Sequence, residues 1–247
     1  MLGFLSSMLN SLVTEFLRRR NNAASDRRLI VEQLDPLLKA ADELQGKLRS
    51  LAEEDFVEFR KLPPAELQLV DRVNLCSTLF LFAQFWGRIE ILRLDSLHAA
   101  FGRNAQAKTL RRFLRCLQSR RVRLVDRAWQ RAIGESVLLM DVPVVGVISF
   151  KVFVERYEVT PRLQEWLQPL EDILRQTRYA PARQRLLQYS VIIHALIDTL
   201  DPKHYTTHER PAYPNKLSRR AKHDLIGKVF GTYLPEVKHP EKYTGRH

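Results

Sequence analysis

Apolar positions mass most densely between Leu67 and Arg93, in the run LQLVDRVNLCSTLFLFAQFWGRIEILR. No charged residue occurs from Val73 to Gly87, and Arg88, Glu90 and Arg93 close the run. Between Leu75 and Trp86 apolar residues occupy nearly every side of a helix, which is the pattern of burial all round rather than along one stripe. The charge-free part falls short of the roughly 20 residues needed to cross a bilayer. Asn74, Ser77, Thr78 and Gln84 also dot it with groups that require partners. The run predicts a long core helix that other helices must cover.

Upstream, Ile30, Leu34, Leu37, Ala41, Leu44, Leu48 and Leu51 recur in steps of four and three, the seam of a helix packed along its length. Asp35-Pro36 interrupts the chain without shifting the phase, so a kink is expected there and a helix end near Glu54. Downstream, Asn104 is placed to cap a helix whose apolar face is Leu110, Phe113, Leu114 and Leu117. Val144 to Val154 is β-branched enough for a strand, although its surroundings favour a helix. Thr160-Pro161 opens a helix with Leu163, Trp166, Leu167, Leu170 and Leu174 inward, which Pro169 should kink or end early. Pro181 opens another, and His194 within its apolar run reads as a core histidine. The expectation is an all-α protein: a single helical bundle over 26–202 around the long buried central helix. After Pro202 the composition turns basic and rich in proline and histidine, which predicts a poorly structured C-terminal extension over 203–247 in which only Leu217 to Leu234 looks partly helical.

At the other end, residues 1–20 read as an amphipathic helix. Leu5, Leu9, Leu12 and Phe16 share one face, opposite an uncharged polar face, and Arg18, Arg19 and Arg20 follow. A secretory signal carries its positive charge before the apolar run, not after it. The arrangement suits a helix lying in a membrane interface with its arginines at the headgroups.

Charge sharpens the picture. Forty Lys+Arg against 28 Asp+Glu give a net charge of +12, which favours anionic partners. Arg111, Arg112, Arg115, Arg120, Arg121 and Arg123 begin a belt that runs on to Arg127 and Arg131 and is suited to phosphate of lipid or nucleic acid. No aromatic alternation of the single-strand-binding kind accompanies it. Cys76 and Cys116 lie in helical apolar patterns and read as buried reduced thiols. His204 and His208 are followed by Glu209, which is not the order of a zinc protease, and no third ligand is placed, so no metal and no cofactor is expected.

Nucleotide-binding glycine loops, a nucleophile elbow and zinc spacings of Cys and His are all absent from the sequence, and no residue is assigned a catalytic role. The polar end of the central run has a different use. Glu90 and Arg93 share a helix face, and Arg131 and Glu135 belong to a second segment that needs a packing partner. The four are expected to converge in a polar cluster that fixes the register of the bundle.

Four blocks carry a resemblance. They are PLLKAADELQGKL from Pro36, TLFLFAQFWGRIEILR from Thr78, QRAIGE from Gln130, and the stretch from Arg185 to Pro202. Together they resemble a family of uncharacterised, mostly bacterial helical proteins with an N-terminal hydrophobic anchor. The resemblance implies a helical fold and brings no activity with it.

The sequence thus points to a non-enzymatic helical protein, cytoplasmic and peripheral at the inner face of a membrane, acting through protein or anionic-lipid contacts. The alternative is a nucleic-acid-associated basic protein that uses the arginine belt, and a third is an enzyme with an unrecognised site. Oligomeric state is not readable.

Overall fold

The structure is a computed structural model that describes residues 32–60, 69–94, 105–139, 145–212 and 216–245. The membrane-contact residues Leu5, Leu9, Leu12, Phe16, Arg18, Arg19 and Arg20 lie outside them, as does the Asn104 cap. The all-α expectation holds: the described residues form helices, with one antiparallel pair of two-residue strands.

Helix α1 spans residues 32–53 and continues through Pro36. The seam residues Leu34, Leu37, Ala41, Leu44, Leu48 and Leu51 are all buried, but so are Leu38, Ala40, Asp42 and Gln45. Burial wider than a two-position seam means that α1 lies inside a bundle rather than in a free coiled coil. Asp55 and Phe56 take left-handed backbone angles that turn the chain, and Phe56 drops into the core ahead of the short helix α2 (Val57–Arg60).

Helix α3 (Leu69–Leu94) is the central element. Its stretch Asp71–Arg93 is long and apolar enough to cross a membrane, yet 78% of its apolar 18-residue window is buried within the protein. Packed around the core are α4 (Ala105–Leu117), α5 (Arg127–Glu135), α6 (Phe150–Val159), α7 (Pro161–Arg175) and α8 (Ala180–Leu200). Strands β1 (Leu138–Leu139) and β2 (Gly146–Val147) pair between α5 and α6. The Val144–Val154 stretch therefore divides: its start forms a strand, and Ser149 then caps α6 by accepting from the Val152 N–H. Pro169 does not end α7, which runs to Arg175. Glu165, whose carbonyl loses the proline's missing N–H, is exposed, so solvent can take that carbonyl.

The C-terminal segment corrects the expectation of poor structure. Helices α9 (Arg219–His223), a π-helical stretch Asp224–Phe230, α10 (Gly231–Tyr233) and α11 (Glu241–Thr244) follow α8. Leu217, Ala221, Leu225, Val229, Phe230 and Leu234 are buried in the same core cluster as the rest of the bundle. The partly helical reading of Leu217 to Leu234 thus extends to a stripe seated in the core, with basic residues around it. Polar bonds hold the segment at several points. Gln184 of α8 accepts from the Ser218 N–H and donates to the Lys216 carbonyl. Arg112 of α4 pairs with Glu236 at 3.0 Å.

Candidate functional site

Two small residues place the first constellation. Gly134 of α5 packs directly on the α3 backbone at Trp86 and Gly87, so close that a Cβ would sit 2.8 Å from the Trp86 carbonyl carbon. Glu90 lies one turn beyond Gly87 and Arg131 one turn before Gly134, so this crossing brings their side chains to one edge. Glu90 is buried and accepts a hydrogen bond from Arg93 Nε, while Arg131 Nε stands 3.7 Å from the same carboxylate oxygen. Arg93 Nη2 reaches on to Glu135 at 3.1 Å. The structure thus brings Glu90, Arg93, Arg131 and Glu135 together as two carboxylates and two guanidinium groups, locally balanced in charge. Behind them Trp86 Nε1 donates to Tyr189 Oη at 2.8 Å, fixing α3 to α8 in the dry core.

In front of the cluster lies a pocket of about 300 Å³, lined by Ile89, Leu92 and Arg93 of α3, by Arg111, Leu114 and Arg115 of α4, and by Gln118. A smaller hollow of about 10 Å³ shares Ile89 and Gln118 with it and is bounded by Trp86, Glu90, Leu117, Gln130 and Tyr189. Gln130 is buried, and its amide nitrogen has no hydrogen-bond partner among the described residues.

The arginine belt is divided. Arg112 is held by Glu236, and Arg123 by Asp126 at 2.7 Å. Arg111 and Arg115 line the pocket just described, whereas Arg121 borders a separate hollow of about 160 Å³ with Gln188, Asp224 and Lys228. Arg120 is exposed. The six arginines therefore do not form one surface, because the turn after α4 and the salt bridges assign them separate tasks. Trp129 is half-buried and packs edge-on against Trp166, with ring centroids 5.0 Å apart.

A second constellation was not foreseen. Asp42 of α1 is buried, with His208 Nδ1 at 2.6 Å and Arg210 Nε at 2.9 Å. Burial opposes its ionisation, but the bonds from Arg210 and His208 outweigh that and hold the carboxyl below its ordinary range. Asp201, just past α8, accepts from the backbone N–H groups of Tyr205, Thr206 and Thr207 and from the Thr207 hydroxyl. Burial again acts against ionisation and is again overcome, so its carboxyl is also lowered. Asp198 of α8 accepts from Tyr243 Oη and Lys242 of α11, with His194 and His204 at 3.6 and 3.7 Å from its other oxygen. His194 is buried as expected, but its Nε2 makes no hydrogen bond among the described residues, and burial lowers its pKa. These groups pin residues 201–212 and 216–245 to α1 and α8. No group of three or more metal-binding side chains is present among the described residues.

Cys76 and Cys116 are buried and unbridged; burial pushes their thiols up to about 11 and about 12.

Comparison of the chain with protein-family models, curated proteins and solved structures gave no match, so the four sequence blocks stand for the packing elements they form and carry no family assignment.

Proposed function

We propose that this is a non-enzymatic, membrane-peripheral helical protein that engages an anionic lipid surface through the basic face of α4. The observation that carries the reading is the charge of that helix. Its sequence AQAKTLRRFLRCL holds four cationic residues and no acidic one. Lys108, Arg112 and Arg115 are exposed, while Ala107, Leu110, Phe113, Cys116 and Leu117 are buried, so the cations face outward from a firmly seated helix. Residues 1–20, with their apolar face and Arg18–Arg20, would supply a second contact. Two weak signals together anchor a protein where one gives only marginal binding.

Each cationic side chain near an anionic surface contributes about 1 kcal/mol. Replacing both Arg111 and Arg115 by Gln should therefore weaken vesicle binding by roughly 30-fold. The test is flotation with phosphatidylcholine vesicles, with and without phosphatidylglycerol. Binding confined to the anionic vesicles, falling with salt and with the double substitution, is expected; equal binding to neutral vesicles would overturn the reading. A chain starting at Asp26 that floats as well as the full chain would remove the N-terminal helix from the proposal. Retention of short DNA in a gel-shift series at salt that abolishes vesicle binding would favour nucleic acid instead. Against that outcome stands the engagement of Arg123 and Arg131 with carboxylates.

A further inference from the structure

The pocket between α3 and α4 has a composition that an open basic surface does not explain. One wall is apolar, formed by Ile89, Leu92 and Leu114, and its polar side is made by Arg93, Arg111, Arg115 and Gln118. We infer that it is a binding site for one amphipathic anion: a phosphate group carrying a short apolar chain. The inference rests on the reading of α4 as an anion-facing helix and deepens it from a surface to a site.

Three arguments lead to this ligand class. The first is charge. Arg93 is matched by Glu90 and Glu135, whereas Arg115 makes no ion pair with a carboxylate among the described residues. Arg111 and Arg115 stand four apart on α4 and both line the pocket. A phosphate there would accept charge-assisted hydrogen bonds from Arg115, which guanidinium forks form well. The second is size. About 300 Å³ lies at the lower end of the range for small-molecule pockets, so it admits a headgroup phosphate and a few carbons, not two full acyl chains. The third is the inner end. The adjoining hollow shares Ile89 and Gln118 with the pocket and is lined by buried Gln130, which has an amide donor without a partner among the described residues. A bridging water at that end would meet a ready donor beside the Glu90 carboxylate.

The phosphate could come from a membrane lipid or from a free phosphate ester, and the experiment separates the two. Calorimetric titration of the full chain with 1-hexanoyl lysophosphatidic acid, glycerol 3-phosphate and inorganic phosphate is run beside flotation on phosphatidylglycerol vesicles. One-to-one binding of the acylated phosphate, at least 10-fold tighter than that of glycerol 3-phosphate, is expected. Leu114→Trp, which fills the pocket without changing charge, should reduce it 10-fold or more, and so should Arg115→Gln. Arg162→Gln removes the same charge from an exposed site on α7 and should leave it unchanged. Arg115→Gln keeps the test decisive should Leu114→Trp fail to fold. Several equivalents bound per chain would overturn the site, as would equal losses in Arg115→Gln and Arg162→Gln. Loss of titration with flotation intact would strike the pocket alone. Titration without flotation would keep the pocket, assign it to a free phosphate ester and remove the membrane reading.

Discussion

Gly134 of α5 and Trp86 of α3 touch backbone to backbone, and a Cβ at position 134 would lie 2.8 Å from the Trp86 carbonyl carbon and 2.9 Å from its oxygen. The obstacle is main chain inside a helix, which cannot swing aside as a side chain would. Gly134→Ala should therefore destabilise the protein by about 1–3 kcal/mol through overpacking, in spite of alanine's better helix propensity. Chemical denaturation would measure this. A variant as stable as the parent would show that the two helices part at no cost.

The cluster one turn away calls for a graded response. Glu90 is buried, and Glu90→Gln leaves Arg93 and Arg131 facing a neutral group, with an expected loss of about 1–3 kcal/mol. Glu135 is nearly half exposed, and Glu135→Gln should cost less than about 1 kcal/mol. If both proteins melt at the parent's temperature, the cluster does not hold the bundle.

This cluster was legible in the sequence because the charges sit where an apolar run ends and have no local alternative. Helix α3 was legible for the same reason, since a helix without a polar face has only the interior to occupy. The Asp42–Arg210 bond joins residues 168 positions apart, and nothing near Asp42 marks it as buried. A four-three seam counts it among the polar flanks, and only the return of residues 201–210 covers it. Leu217 to Leu234 reads as partly helical, but basic residues dilute its apolar stripe, so its burial in the common core was not foreseen.

That returning segment makes a local prediction. Asp42→Asn keeps the shape but removes the charge that His208 and Arg210 meet. Hydrogen exchange should quicken in residues 201–212 before it does in α3 or α8. Uniform acceleration across the protein would mean that the segment has no separate stability.

Acid should weaken the fold in two stages. Burial lowers the pKa of His194 from its ordinary 6.5, so the unfolded chain takes up a proton in a range where the folded one does not. The stability this group supports is complete above pH 6.5 and is lost as pH falls through the folded-state value. Asp42 and Asp201 are lowered from 3.8, so their contributions persist above that value and go only in stronger acid. Melting temperatures between pH 8 and 3 would record both stages, and His194→Gln should flatten the first. An unaltered slope in that variant would assign the first stage to another group.

Cys76 and Cys116 should resist alkylation in the native protein and react together on unfolding, because buried thiols pushed to about 11 and about 12 supply almost no thiolate at neutral pH. Mass spectrometry after a timed pulse of iodoacetamide would check this.

The bond between Asp42 and Arg210 also governs the order in which the protein can be made. A chain emerging from the ribosome presents α1 long before residues 201–210 exist, and until they arrive its buried carboxylate has neither guanidinium nor imidazole to meet it. Domains generally complete only when all their parts are synthesised, and pairings this distant in sequence form late. Helix α1 must therefore wait, exposed or loosely held, for most of translation. The segment with the least conspicuous apolar pattern is the one whose arrival closes the bundle.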